Sequence, residues 1–163
     1  MGGLRVTIQE LAERIPVAMM TTIDHDQRLT SRPMLAVEAA GQVVWFLTRA
    51  ETSKLEELSA DPRVNLAFVG PRGEYASISG CATVSDDRDM LRRTWNPTYR
   101  AWFPEGREDP NIVLLRVTVE RGDYWETSSS RVQRLAGVIK AVVTGEAYEI
   151  EKQPIDLRPN DAD

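Results

Sequence analysis

Apolar and polar positions alternate with a period of two over much of this chain, and only short stretches carry the three-to-four-residue spacing of a helix. A mainly β protein is predicted. Ile8, Leu11, Ala12 and Ile15 recur at helical spacing behind Thr7-Ile8-Gln9-Glu10, which has the form of a capping box, so a short opening helix should run up to Pro16. Val17 to Ile23 reads as a β-branched strand that breaks at Asp24-His25-Asp26-Gln27. Residues 29–38 read as a strand, Gly41 as a turn and residues 42–48 as the antiparallel return. Thr52 stands where it can cap a short helix running to residue 60, which Asp61-Pro62 ends.

Val64, Leu66 and Phe68 then alternate with Asn65, Ala67 and Val69 in another strand. Pro71-Arg72-Gly73-Glu74 turns the chain into a long strand over residues 75–85, with Gly80 marking a bulge or a close backbone approach. Asp86-Asp87 can cap a helix over residues 88–95, and Tyr99, Trp102 and Phe103 cluster beyond Asn96-Pro97. Residues 112–120 alternate again and continue through Tyr124-Trp125, and Ser128-Ser129-Ser130 should cap a last helix carrying Val132, Leu135, Ile139 and Val142. About six antiparallel strands in hairpins, with few and irregularly placed helices, favour a closed or partly closed β-barrel over a parallel sheet. One domain is expected over residues 1–150, with residues 151–163 a mobile C-terminal tail.

Composition narrows the function classes. A formal charge of −5 speaks against nucleic-acid binding, which needs a basic face, and the arginines at 92, 93, 100 and 107 are interleaved with acids. No apolar run reaches the length of a membrane span, and the amino terminus has no leader pattern, so a cytoplasmic protein is expected. The single cysteine, Cys81, rules out an internal disulfide and reads as a small packed strand residue. The single histidine, His25, sits in a turn, which leaves no metal-ligand spacing and no base for a catalytic triad.

The stretch around residues 30–58 carries the candidate chemistry. Arg32 offers a planar fork that suits a phosphate, Lys54 a mobile charge in a first helical turn, and the free amides of that turn favour an anion. Trp45-Phe46 could supply an aromatic face. The same residues also fit an ordinary surface, with Lys54 paired to Glu57 or Glu51 and Trp45-Phe46 in the core.

Ser31-Arg32-Pro33-Met34, Trp45-Phe46-Leu47-Thr48, Ser53-Lys54, Tyr75-Ala76-Ser77-Ile78-Ser79-Gly80, Trp95-Asn96-Pro97, Trp102-Phe103-Pro104 and Tyr124-Trp125 occur in one order at fitting intervals. Together they resemble the general stress protein 26 branch of the pyridoxamine 5′-phosphate oxidase-like proteins, over residues 15–148. The resemblance implies an antiparallel split β-barrel with short flanking helices that dimerises and binds FMN in two clefts between the subunits. It further implies that Arg32 and Lys54 hold the FMN phosphate, with Ser31, Pro33, Thr48 and Ser53 at neighbouring positions and the Met34 backbone passing the ring. Tyr75 and Ser77 correspond to positions that reach the flavin of the partner subunit, and Trp125 to an aromatic residue near the ring. FMN is thus the implied cofactor, with deazaflavin F420 and FAD behind it, and haem is disfavoured by the lone imidazole.

Two departures bear on activity. The oxidases carry Leu-His after an arginine that Arg131 matches, where this chain has Val132-Gln133, and they prefer glutamine where this chain has Tyr75. Oxidation of vitamin B6 is therefore not expected. What the resemblance implies is an FMN-dependent oxidoreductase of unread substrate linked to stress, or, from another class, a flavin carrier or sensor without turnover.

Overall fold

Thr7 opens the first element through the predicted capping box: its hydroxyl accepts from the Glu10 amide at 3.2 Å, and Glu10 Oε2 accepts from the Thr7 amide at 2.8 Å. The structure is a computed structural model that describes residues 6–127 and 152–158. Helix α1 (Ile8–Arg14) buries Ile8 and Leu11 against the barrel that follows. Strands β1 (Val17–Ile23), β2 (Leu29–Ala40) and β3 (Val43–Arg49) form a meander, turned at Gly41, before α2 (Ser53–Ala60). Then come β4 (Arg63–Val69), β5 (Glu74–Ser85), α3 (Arg88–Thr94), a 3₁₀ turn at Pro97–Ala101 and the long β6 (Ile112–Glu126).

Every strand pair is antiparallel, in the order β3-β2-β1-β4-β5-β6, and β3 also pairs with β6. Six strands therefore close on themselves. Alternation sends Met20, Phe46, Leu66, Ile78 and Leu115 inward, where they form the barrel core with Ile8 and Leu11 of α1. A second cluster lies outside: Leu47, Ile112 and Leu114 of β3 and β6 pack against Met90 and Leu91 of α3, with Trp95, Tyr99 and Phe103 beside them. Trp95, Tyr99 and Phe103 thus cover the outer face of β3.

The expectation of a mobile tail over residues 151–163 is corrected for its described part. Strand β7 (Lys152–Pro154) pairs with residues 123–125 of β6, and Ile155 is buried in the barrel core. Strand β6 runs beyond its pairing with β3, and that free edge gives the segment a ladder to join, which its prolines and acids conceal in the sequence. The helix expected after Ser128 lies outside the described residues.

Gly80 makes a close backbone approach, one of its two readings, and it faces a bulge whose extra residue, Glu120, belongs to β6. The β5–β6 register shifts between Ser79 and Gly80, and a Cβ on Gly80 would lie 2.1 Å from the backbone oxygen of Thr118. Gly80→Ala should therefore cost ~1–3 kcal/mol or more and lower Tm by several degrees, read by thermal denaturation. A parent-like Tm would show that the two strands can move apart freely.

Candidate functional site

Pairing between β2 and β3 ends at Ala36–Phe46, although β2 stays paired with β1 to Leu29 and β3 stays paired with β6 to Arg49. The two strands part there. A cleft of about 310 Å³ opens between them, with Pro33 and Met34 on one side, Thr48 and Arg49 on the other, and Thr52 and Lys54 of the α2 entrance at one end. Pro33 suits such a place because it has no N–H to leave unpaired. Tyr99, Trp102 and Phe103 add an aromatic wall, and Trp102 is 61% exposed. Arg49 ties that wall down by donating to the Trp102 carbonyl at 2.9 Å and lying over the Phe103 ring.

Lys54 Nζ donates to Thr48 Oγ1 at 2.5 Å. Burial lowers the Lys54 pKa, the nearby Arg32 charge lowers it further, and Glu57 draws it partly back. An anion at this end would favour the charged ammonium. Thr52 occupies the N-cap position of α2, as predicted, but makes no capping bond; its hydroxyl donates instead to the Arg49 carbonyl at 3.2 Å. The start of α2 thus lacks a side-chain cap where it borders the cleft, a favourable place for an anion.

Arg32 differs from the open fork read in the sequence. Its Nη2 donates to Thr30 Oγ1 at 2.8 Å and to Glu57 Oε2 at 2.9 Å, and its Nη1 donates to Thr22 Oγ1. Both two-pronged edges of a guanidinium include Nη2, so the fork is already filled. Glu57, read from sequence only as a pairing option for Lys54, is 6% exposed and also accepts from Thr22 at 2.5 Å. Burial pushes its carboxyl pKa up, but hydrogen bonds from Thr22 and Arg32 outweigh that and leave it below the usual range. The signal that could have found it is an acid beside Leu58 on the buried side of α2.

Arg32→Lys should destabilise the fold by ~1–3 kcal/mol in a denaturant titration, because one ammonium cannot stand where two guanidinium nitrogens meet Thr22, Thr30 and Glu57. Unchanged stability would mean that charge alone suffices there.

The other sequence candidates are dispersed. Pro33, Met34, Thr48 and Lys54 line the cleft. Ser31 faces outward and bonds Thr21 at 2.7 Å, Ser53 is exposed, Phe46 is in the core, and Trp45 lies on the outer face of β3 under Arg116. Tyr75, Ser77 and Trp125 share another outer face. Pro33 pairs across to Met19, Met19 to Ala67 and Ala67 to Ser77, so Ser77 is three strand spacings, ~14 Å, from Pro33, and Trp125 lies on the strand beyond. One chain does not bring these three to its own cleft.

The family model described as pyridoxamine 5′-phosphate oxidase like matches residues 5–149. The chain belongs to that family. Protein bli-3 of Neurospora crassa is 33% identical over 147 residues, which cover 83% of this chain and 70% of that protein. General stress protein 26 of Bacillus subtilis is 27% identical over 84 residues, 49% of this chain and 59% of its own length. The crystal structure of the general stress FMN/FAD binding protein from Xanthomonas citri matches with a TM-score of 0.63 at 32% identity, covering 74% of this chain and 86% of that one.

These likenesses put the chain in the general stress protein 26 branch of the pyridoxamine 5′-phosphate oxidase-like family, and the closed six-strand barrel is the fold expected of it. Among the described residues, no helix is long and apolar enough to cross a membrane, and no group of His, Cys, Asp and Glu could hold a metal. Arg131, Val132 and Gln133, the positions that separate the chain from the true oxidases, lie outside the described residues.

Proposed function

We propose that this protein binds FMN in the cleft between β2 and β3 and serves as a flavin-dependent oxidoreductase in a cytoplasmic, stress-linked role. The observation that carries the proposal is the juxtaposition of Lys54, Thr48 and the uncapped start of α2 with an aromatic-walled cleft. FMN joins a dianionic phosphate to a flat ring, so a host needs a cationic end and an apolar, partly aromatic one. Both are present. When bound, the flavin would supply the electron chemistry, and the protein would orient it and limit water around it. The relative from Xanthomonas citri, named for FMN/FAD binding, adds support at 32% identity.

The working unit in this reading is a homodimer with the cofactor between subunits. Its support is the outer face of β1, β4 and β5, where Val17, Met19, Val69 and Tyr75 are exposed together beside Ser77 and Trp125. Apolar side chains gathered on one sheet face mark an interaction surface. A two-fold partner could bring its Tyr75, Ser77 and Trp125 positions to this chain's cleft and create two equal sites.

The test is the absorbance spectrum of the purified protein, followed by reduction with a nicotinamide nucleotide and exposure to air. A flavin spectrum that bleaches and returns supports the oxidoreductase. A flavin spectrum that resists reduction supports a carrier or sensor, a deazaflavin spectrum indicates F420, and mass analysis of released cofactor separates FMN from FAD. Failure to bind any of these compounds would overturn the proposal.

A further inference from the structure

We propose that Glu57 is a positioning residue, which holds α2 at the angle that points Lys54 and the first-turn amides into the cleft; its effect on ligand rests on the flavin reading above. Three donors from two strands converge on this one carboxylate: Thr22 of β1, and Thr30 and Arg32 of β2. Glu57 and Leu58 are the two buried residues of α2, so an ion-paired carboxylate supplies one of the helix's two buried anchors. Glu57 also follows Lys54 by three positions, which puts the two on adjoining parts of one helix face. Fixing Glu57 against β1 and β2 therefore fixes the rotation that brings Lys54 Nζ to Thr48.

A buried ion pair is a weak source of stability compared with well-packed apolar side chains, and a second leucine would dock α2 more simply. Directional bonds do something that leucine cannot. They set the rotation and depth of the helix, and they hold the Arg32 guanidinium still beside Lys54, where its charge adds to the local potential. Arg32 in this account works through Glu57. Its filled fork is the reason.

The experiment compares the parent with Glu57→Gln, which keeps the volume and loses the charge. Hydrogen exchange is read without flavin, and affinities are measured for FMN and for riboflavin, which has no phosphate. Exchange at the end of α2, including the Asp61 amide that donates to the Glu57 carbonyl at 2.8 Å, should quicken about tenfold while β4 stays unchanged. FMN affinity should fall about tenfold, with riboflavin affinity kept within about twofold. Unchanged exchange in α2 would overturn the proposal. So would equal losses for both flavins, which would mean general disruption, or tighter FMN binding, which would make Glu57 a competitor of the phosphate. If the parent binds no flavin, the functional reading fails by itself, and the exchange result alone decides whether Glu57 holds the helix. Should Glu57→Gln not fold, Glu57→Asp retracts the carboxylate by one methylene and is judged by the same outcomes.

Discussion

In the proposed homodimer, replacing Met19 with glutamate is expected to separate the subunits and to reduce flavin affinity by a hundredfold or more. Met19 is 40% exposed on the outer face of β1, between Pro33 of β2 and Ala67 of β4. In an isolated barrel a glutamate there meets water, and exposed substitutions usually change stability by within ~0.5 kcal/mol. In a two-fold dimer the same change occurs twice against one interface, and burying an unpaired carboxylate costs several kcal/mol per site. The loss of flavin follows from geometry. Ser77 and Trp125 share Met19's face rather than their own chain's cleft, so a monomer keeps Lys54 and Thr48 and loses whatever the partner contributes. Sedimentation at several concentrations, with and without FMN, reads both effects. A parent that is itself a monomer and binds FMN tightly would sink the shared-site reading, and so would a Met19→Glu dimer of undiminished affinity.

Lys54→Ala should weaken FMN binding roughly tenfold to a hundredfold and leave riboflavin binding unchanged. A charge-assisted hydrogen bond contributes ~1.5–3 kcal/mol, and each ~1.4 kcal/mol is a factor of ten in affinity. The fold should survive, because among the described residues the Lys54 side chain hydrogen-bonds only to Thr48 at the cleft wall and its ammonium already bears the strain of burial. The comparison with riboflavin isolates the phosphate. Equal weakening of both ligands would show that Lys54 shapes the ring end or the cleft as a whole, and that the phosphate end lies elsewhere.

Local chemistry accounts for what was legible in the sequence. The Thr7–Glu10 capping box, the turn at Gly41, the Asp87 cap of α3 and the alternation of β4 and β6 each depend on residues a few positions apart, and each stands in the structure as read. The close approach at Gly80 was legible for a related reason: a glycine inside a strand pattern marks a bulge or a place where another backbone comes near. Thr52 marks the limit of local reading. Its position as the N-cap was right, but its hydroxyl had a second acceptor, the Arg49 carbonyl, and took it.

Residue types could name Arg32 and Lys54 as candidates, but the tertiary structure decided what they do. Arg32 meets a carboxylate 25 positions away, and that partner becomes visible only when closure of the barrel brings α2 across β1 and β2. Residues 152–154 likewise read as tail until β6 overruns β3 and leaves an edge to pair with. The faces of Tyr75, Ser77 and Trp125 follow from strand alternation, yet their separation from the cleft depends on strand order, which local patterning does not encode. The sequence by itself determined a mainly β chain, its turns and caps, and the residue types available for an anion and a ring. Only closure of the barrel decided which of them meet, because hydrogen bonds and ion pairs between distant residues form where the fold brings them together.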